Sequence, residues 1–381
     1  MIDQIKFQQQ LKQAGVEFIT GVPDTLLNEF CLSIEENWSK EKHIIAANEG
    51  NAIALASGYH LSTGTVPLIY MQNSGMGNTL NPLLSLSNKE VYSIPMILLI
   101  GWRGDPSVKD HAQHKKQGEL TPVLLDDLDI PYKILMDDEE AVLEASQWAV
   151  DTAKEINTPV ALIAKKNVLE KGSKLDLSQL PSEYEMFRED VIENLLNHLP
   201  KDTIYVAATG RATRELYYLR KHRNESNEND FLNIGAMGHT SSIALGIAIA
   251  QKDRYVVCLD GDASAIMHLG AFAIQGNQDV SNLLHVVMNN GVHESVGGQA
   301  SVGFNIDLTS IAKHSGYNTV EQAAANSSEF LNAVDQLSQA NKPAFVEVKI
   351  RKGMRSKLPP LNIVPKELKN IGFKTESKTT Q

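Results

Sequence analysis

Tyr255-Val256-Val257-Cys258-Leu259-Asp260-Gly261-Asp262-Ala263-Ser264 is the stretch on which the reading of this chain turns. Tyr255–Leu259 has the length and apolar character of a buried strand, and Ser264–Gln275 has a helical pattern. Between them stand two acids, a glycine and a small residue. In an open parallel sheet, ligands collect at the carboxyl ends of the strands. A helix start also offers unpaired N–H groups to an anion. Gly261 and Ala263 permit close approach, and Asp262 offers a hard carboxylate oxygen. One helix and one strand further on, Leu284–Met288 delivers Asn289-Asn290-Gly291 to the same edge of the sheet. An Asp oxygen, an Asn amide oxygen and a nearby backbone carbonyl suit Mg²⁺, with anion oxygens and water completing the octahedron. Each half of this pattern is commonly just a turn. Together, at strand–helix–strand spacing, they are far more specific.

The rest of the chain repeats the alternation. Strands are predicted at Glu17–Thr20, His43–Ala47, Val66–Met71, Pro95–Ile100 and Val160–Ala164, with helices at Ile5–Ala14, Gly50–Leu61 and Glu139–Ala153. The second half has strands at Thr203–Ala207 and Ala344–Ile350 besides those above, and helices at Ser241–Gln251 and Glu329–Ala340. This implies an α/β protein of two doubly wound parallel-sheet domains. They are expected over 1–165 and 188–365, joined by a linker over 166–187 and followed by a polar tail over 366–381. No sequence repeat links the halves, so any duplication is one of fold.

Lys and Arg number 35 against 46 Asp and Glu, a formal charge of −11. That balance argues against nucleic acid as the main partner, but not against a small anion held by a local basic patch. The two cysteines, Cys31 and Cys258, lack zinc or redox spacing and read as reduced core residues of a cytoplasmic protein. The start, MIDQIKFQQQ, has no apolar segment of a secretory signal, and no run is long enough to span a membrane.

The split motif resembles the signature of the thiamine diphosphate enzymes. The resemblance makes Asp262 and Asn290 the side-chain Mg²⁺ ligands, with Val292 giving a carbonyl, and Asn289 a weaker choice. Ala263 stands where the family often has glycine. With Gly261 and Ser264 these residues would hold the diphosphate, aided by Thr209-Gly210-Arg211 after an earlier strand. Asn233-Ile234-Gly235-Ala236-Met237-Gly238 resembles the turn that holds the aminopyrimidine. Gly235 and Met237 would bond that ring, and the Met237 side chain would bend the cofactor. Glu49, in Ala47-Asn48-Glu49-Gly50, matches the glutamate that activates the pyrimidine. A glutamate at a helix start is otherwise ordinary capping chemistry. The resemblance implies a pyrimidine and a diphosphate domain, no middle domain, and a homo-oligomer, at least a dimer, with the active site between chains.

Gly21–Leu27, Tyr70–Asn78, Gly101-Trp102-Arg103-Gly104, Gln113–Gly118 and Asn289–Gln299 resemble the phosphonopyruvate decarboxylases and their sulfopyruvate relatives. The first reading implies loss of CO₂ from 3-phosphonopyruvate, giving phosphonoacetaldehyde for phosphonate biosynthesis. Sulfopyruvate is the alternative, and a non-catalytic binding or regulatory protein the remote one. The anionic 2-oxo acid would meet Arg103, His111, His114 and Lys115. Asp24, Asn73, Ser74 and Gly75 follow strands on the same side. His114 and His293 are the expected proton shuttles, with near-neutral imidazoles. The run Lys109–Lys116 otherwise reads as a solvated loop, Asp24 as a turn former after Pro23, and Arg355 as a lid.

Overall fold

The computed structural model describes residues 1–169, 176–355, 358, 359 and 361. The tail expected over 366–381 and part of the expected linker lie outside the described residues. The chain forms two compact units, Met1–Lys174 with Ser295–Gln299, and Leu175–Glu294 with Ala300–Gln381.

In the first unit the strands are β1 (Ile19–Gly21), β2 (His43–Ile45), β3 (Leu68–Gln72), β4 (Ile97–Gly101), β5 (Tyr132–Leu135) and β6 (Val160–Ala164). They form one sheet in the order β2-β1-β3-β4-β6-β5, with every pair parallel. Successive residues along a strand face opposite sides. Tyr70, Leu99 and Leu162 therefore enter one core, while Met71, Ile100 and Ile163 enter the other. The helices are α1 (Gln4–Gln13), α2 (Asn28–Asn37), α3 (Glu49–Thr63), α4 (Met76–Pro82), α5 (Ala112–Asp127) and α6 (Glu139–Ile156).

The second unit carries β7 (Ile204–Ala207), β8 (Asp230–Leu232), β9 (Val256–Gly261), β10 (Leu283–Asn289), the short β11 (Val292–His293) and β12 (Gln299–Ala300) near the boundary, β13 (Asn318–Thr319) and β14 (Ala344–Lys349). Its sheet runs β13-β14-β10-β9-β7-β8, again parallel throughout. Counted within each six-stranded sheet, both have the same order: second, first, third, fourth, sixth, fifth. The duplication is thus one of topology. The helices are α7 (Arg188–His198), α8 (Arg211–His222), α9 (Thr240–Ala250), α10 (Asp262–Met267), α11 (Ala271–Gln275), α12 (Leu308–His314) and α13 (Ser327–Leu337). No helix among the described residues is long and apolar enough to cross a membrane.

In such a sheet the chain leaves the first strand in opposite directions, which opens a crevice at the strand ends between the first and third strands. Asp24 and Asn73 follow β1 and β3, and Gly210 and Asp262 follow β7 and β9. The topology therefore brings residues far apart in sequence to one edge in each unit.

Two local expectations change. The helix predicted over Ser264–Gln275 is interrupted at His268-Leu269-Gly270. His268 leaves helical geometry, and Gly270, two positions on, is a poor helix former. Lys109–Lys116 is not simply a loop, because α5 starts at Ala112 and carries His114, Lys115 and Lys116. Pro122 lies inside α5 and has no N–H for the Gly118 carbonyl one turn back. The Trp102 indole N–H donates to that carbonyl instead, at 2.9 Å.

Candidate active site

Glu49 is the first residue of α3 and is 6% exposed. Asn48 performs the capping, accepting the Asn51 N–H at 3.0 Å. The Glu49 carboxylate is therefore not consumed by the helix end. Asn78 Nδ2 donates to it at 2.7 Å. A Cβ at Gly75 would lie 2.2 Å from Glu49 Oε1, so glycine there makes room for the carboxylate.

Asp24, Arg103 and His114 come together elsewhere at the same sheet edge. Asp24 is 1% exposed and accepts the Leu26 N–H at 2.9 Å. Gly101, at the end of β4, leaves space for it, since a Cβ there would meet Asp24 Oδ2 at 2.1 Å. Burial pushes the Asp24 carboxyl from 3.8 up to about 6, against the pull of backbone N–H groups and the Arg103 charge. Arg103 makes a bidentate pair with Asp110, at 2.8 and 2.6 Å. Burial works against the Asp110 carboxylate, yet Arg103 and the His111 and Gly104 N–H groups hold it well below its usual range. Asn73 is buried and commits its amide to the Arg103 backbone, at 2.8 and 3.1 Å, and to Thr121. It positions the Arg103 loop. Half-buried His114 is held below its ordinary range by burial and then by the Arg103 charge. His111, Lys115 and Ser74 are exposed.

Asp24 yields a test of sign. Its carboxyl binds a proton more tightly in the native than in the unfolded chain. Its contribution to stability therefore falls as pH rises from about 4 to about 6. Asp24→Asn removes that burden. At pH 8 the variant is expected to be more stable by roughly 2–3 kcal/mol, with no gain below pH ~4. Denaturant melts at both pH values check this, and a variant weaker than the parent at pH 8 would refute it.

In the second unit, Met288 of β10 pairs with Gly261 of β9, which sets Asn289-Asn290 beside Asp262. Asp262 is 2% exposed, and burial raises its carboxyl to about 6 against hydrogen bonds that include the Ser301 hydroxyl and the Asn290 N–H. Among the described residues no cation is paired with it. Asn289 is committed elsewhere, donating to the Gly303 carbonyl at 2.7 Å and to Glu347 at 2.8 Å. Asn290 and Val292 are buried. A buried carboxylate without a cation, beside an amide oxygen, fits a hard divalent ion.

The Gly235–Gly238 turn is tight, with Ala236 at φ +47° and Gly238 at φ +84°. A Cβ at Gly238 would meet His268 at 2.7 Å. The Gly238 N–H donates to Ser264 Oγ at 3.3 Å, which fastens the Met237 turn to α10. Gly210, at φ +103°, precedes α8 and presents Arg211 at its first turn. These placements suit a cofactor with a diphosphate and an aromatic ring. His293 is held down to about 4 by burial, so the near-neutral imidazole expected there is not found. Arg355, expected as a lid, is bound to Asp190 at 3.0 Å and to Glu193 at 2.8 Å on α7. Cys258, Asp260 and His285 also cluster, but His285 Nε2 faces Asp260 Oδ2 at 3.5 Å inside the core. Burial keeps the Cys258 thiol protonated and inert.

Sequence reasoning missed Asn78, Asp110, Ser301 and Glu294, which hold the functional side chains. Asn78 lies in the segment Tyr70–Asn78 but inside α4, and no local signal singles it out.

Residues 7–125 match the model of the thiamine pyrophosphate enzyme N-terminal TPP binding domain, and residues 208–348 that of the C-terminal TPP binding domain. Fold and site thus define a thiamine diphosphate enzyme. Phosphonopyruvate decarboxylase of Streptomyces viridochromogenes is 31% identical over 93% of this chain and 90% of that protein. Its namesake from Streptomyces hygroscopicus is 30% identical over 93% and 89%. Sulfopyruvate decarboxylase of Methanosarcina acetivorans is 26% identical over 94% and 93%. The chain belongs to the thiamine diphosphate-dependent decarboxylases, in the family of the phosphonopyruvate decarboxylases.

Proposed function

We propose that this chain decarboxylates 3-phosphonopyruvate to phosphonoacetaldehyde and CO₂ in phosphonate biosynthesis, with thiamine diphosphate and Mg²⁺. The observation that carries the reading is the nearly full-length likeness to two phosphonopyruvate decarboxylases, in a chain that buries Glu49 and Asp262 at strand ends.

When bound, thiamine diphosphate supplies the nucleophilic carbon and the electron sink for decarboxylation. Glu49 holds a proton at the pyrimidine nitrogen, and Asn78 orients Glu49. Asp262, Asn290 and the Val292 carbonyl hold Mg²⁺. Gly210, Arg211, Gly261, Ala263 and Ser264 line the diphosphate. Gly235 and Met237 set the aminopyrimidine. Arg103 and His114 face the anionic substrate beside Asp24, Ser74 and Gly75, with His111 and Lys115 further out. His114 and His293, whose imidazoles burial keeps neutral, would serve as the proton shuttles.

A second copy of the chain completes the site. Helix α9 supports this: it has no polar side chain from Ile243 to Ala250, yet Gly246, Ile249 and Ala250 are exposed. The cysteines are free and buried, in keeping with a cytoplasmic location.

The test supplies purified protein, thiamine diphosphate and Mg²⁺ with phosphonopyruvate, sulfopyruvate or pyruvate. CO₂ release and aldehyde formation are measured. Phosphonopyruvate is expected to be the preferred substrate. Preference for sulfopyruvate overturns the substrate assignment, and no turnover of any of the three overturns the enzymatic one.

A further inference from the structure

We propose that Glu294 is the positioning residue of the metal site, turning the Asn290 amide so that its oxygen faces the cation. The inference rests on the reading of Asp262, Asn290 and Val292 as the Mg²⁺ ligands. Asn290 Nδ2 donates to Glu294 Oε2 at 2.6 Å, and both residues are buried. A carboxylate only accepts hydrogen bonds, whereas an amide has a donor end and an acceptor end. Flipping the amide would set oxygen against oxygen at a buried site. The carboxylate therefore dictates which end of Asn290 points away from it. That end, Oδ1, accepts the Val292 N–H at 3.2 Å and keeps a lone pair for a cation.

Glu294 is itself fixed. Arg188 Nη2 donates to it at 2.9 Å and the Gly353 N–H at 3.2 Å. Its other oxygen lies 3.8 Å from Arg211 Nε, in the loop assigned to the diphosphate. Arg188 is buried and shared with Glu215, at 2.7 Å. One carboxylate thus contacts a metal ligand and lies beside an arginine of the diphosphate loop. Outer-shell partners of this kind are worth about 10–100-fold in metal affinity.

The experiment uses the full chain saturated with thiamine diphosphate and Mn²⁺ as the probe, with free Mn²⁺ read by electron paramagnetic resonance. Glu294→Met removes the acceptor at similar length and is expected to weaken Mn²⁺ binding about 10–100-fold. Turnover recovers at high metal, and the substrate KM is unchanged. Glu294→Gln keeps an acceptor oxygen and restores part of the affinity. Glu215→Met strips Arg188 of its other carboxylate without touching Asn290, and is expected to leave Mn²⁺ affinity unchanged. Equal weakening in Glu294→Met and Glu215→Met means that Glu294 merely neutralises Arg188, and overturns the proposal. So does parent-like Mn²⁺ affinity in Glu294→Met. Should Glu294→Met fail to fold, Glu294→Leu against Glu215→Leu makes the same comparison. If the parent binds no Mn²⁺ beside the cofactor, the metal reading itself falls, which a parent that binds normally tells apart.

Discussion

Glu49→Gln is expected to lower kcat by about 10²–10⁴-fold, the range over which a positioned proton-transfer group acts. The folded chain should hardly register the change. Asn48, and not Glu49, caps α3, and a glutamine oxygen can still accept from Asn78. What is lost is a carboxyl group able to hold a proton at the pyrimidine nitrogen. An amide of the same shape fills the space left by Gly75 but cannot play that part. Steady-state kinetics beside a thermal melt separates the two effects. Activity close to the parent's would remove Glu49 from the chemistry. A collapsed melting temperature would mean that its role is in the fold.

Asp262→Ala should abolish retention of the cofactor. Losing an outer-shell partner of a metal ligand costs about 10–100-fold, so losing the ligand itself should exceed that range. Asp262 sits between the Asn290 backbone and Ser301, and among the described residues no basic side chain is paired with it to take over. Calorimetric titration of thiamine diphosphate, with and without EDTA, reads the effect directly. The parent should lose affinity on chelation, and the variant should bind weakly under both conditions. A variant that still binds tightly and still responds to EDTA would place the metal elsewhere.

Much of this was readable before any coordinates. Strands buried on both faces are continuous apolar runs, which is why Val160–Ala164 was predicted with the bounds it has. The meeting of Asp262 and Asn290 at one edge was readable because a helical stretch, α10 and α11 in the structure, separates two such strands, and the parallel sheet returns both ends to that edge. Helix α5 was not readable. Gly118 and Pro122 oppose helix locally, and the compensating bond from Trp102 comes from outside the helix. The supports of the site were hidden for a similar reason. Arg188 and Glu294 stand 106 positions apart, and no local pattern announces that they meet. The surroundings of His293 were hidden too: identity gives an ordinary titration range, but burial lowers His293 to about 4.

The proline inside α5 has a consequence for how such a protein can change over generations. Gly118 sits so close to Gly104 that a Cβ would lie 1.8 Å from the Gly104 carbonyl oxygen. The same residue gives its carbonyl to Trp102. Inserting or deleting a residue in α5 between 112 and 118 would turn Gly118 by about 100° and break both contacts at once. New substrate preferences should therefore arise by exchanging side chains such as those at 103 and 114, on a backbone whose length is locked. A library that randomises those positions should yield folded variants, whereas one that varies the length of α5 ahead of Gly118 should yield few.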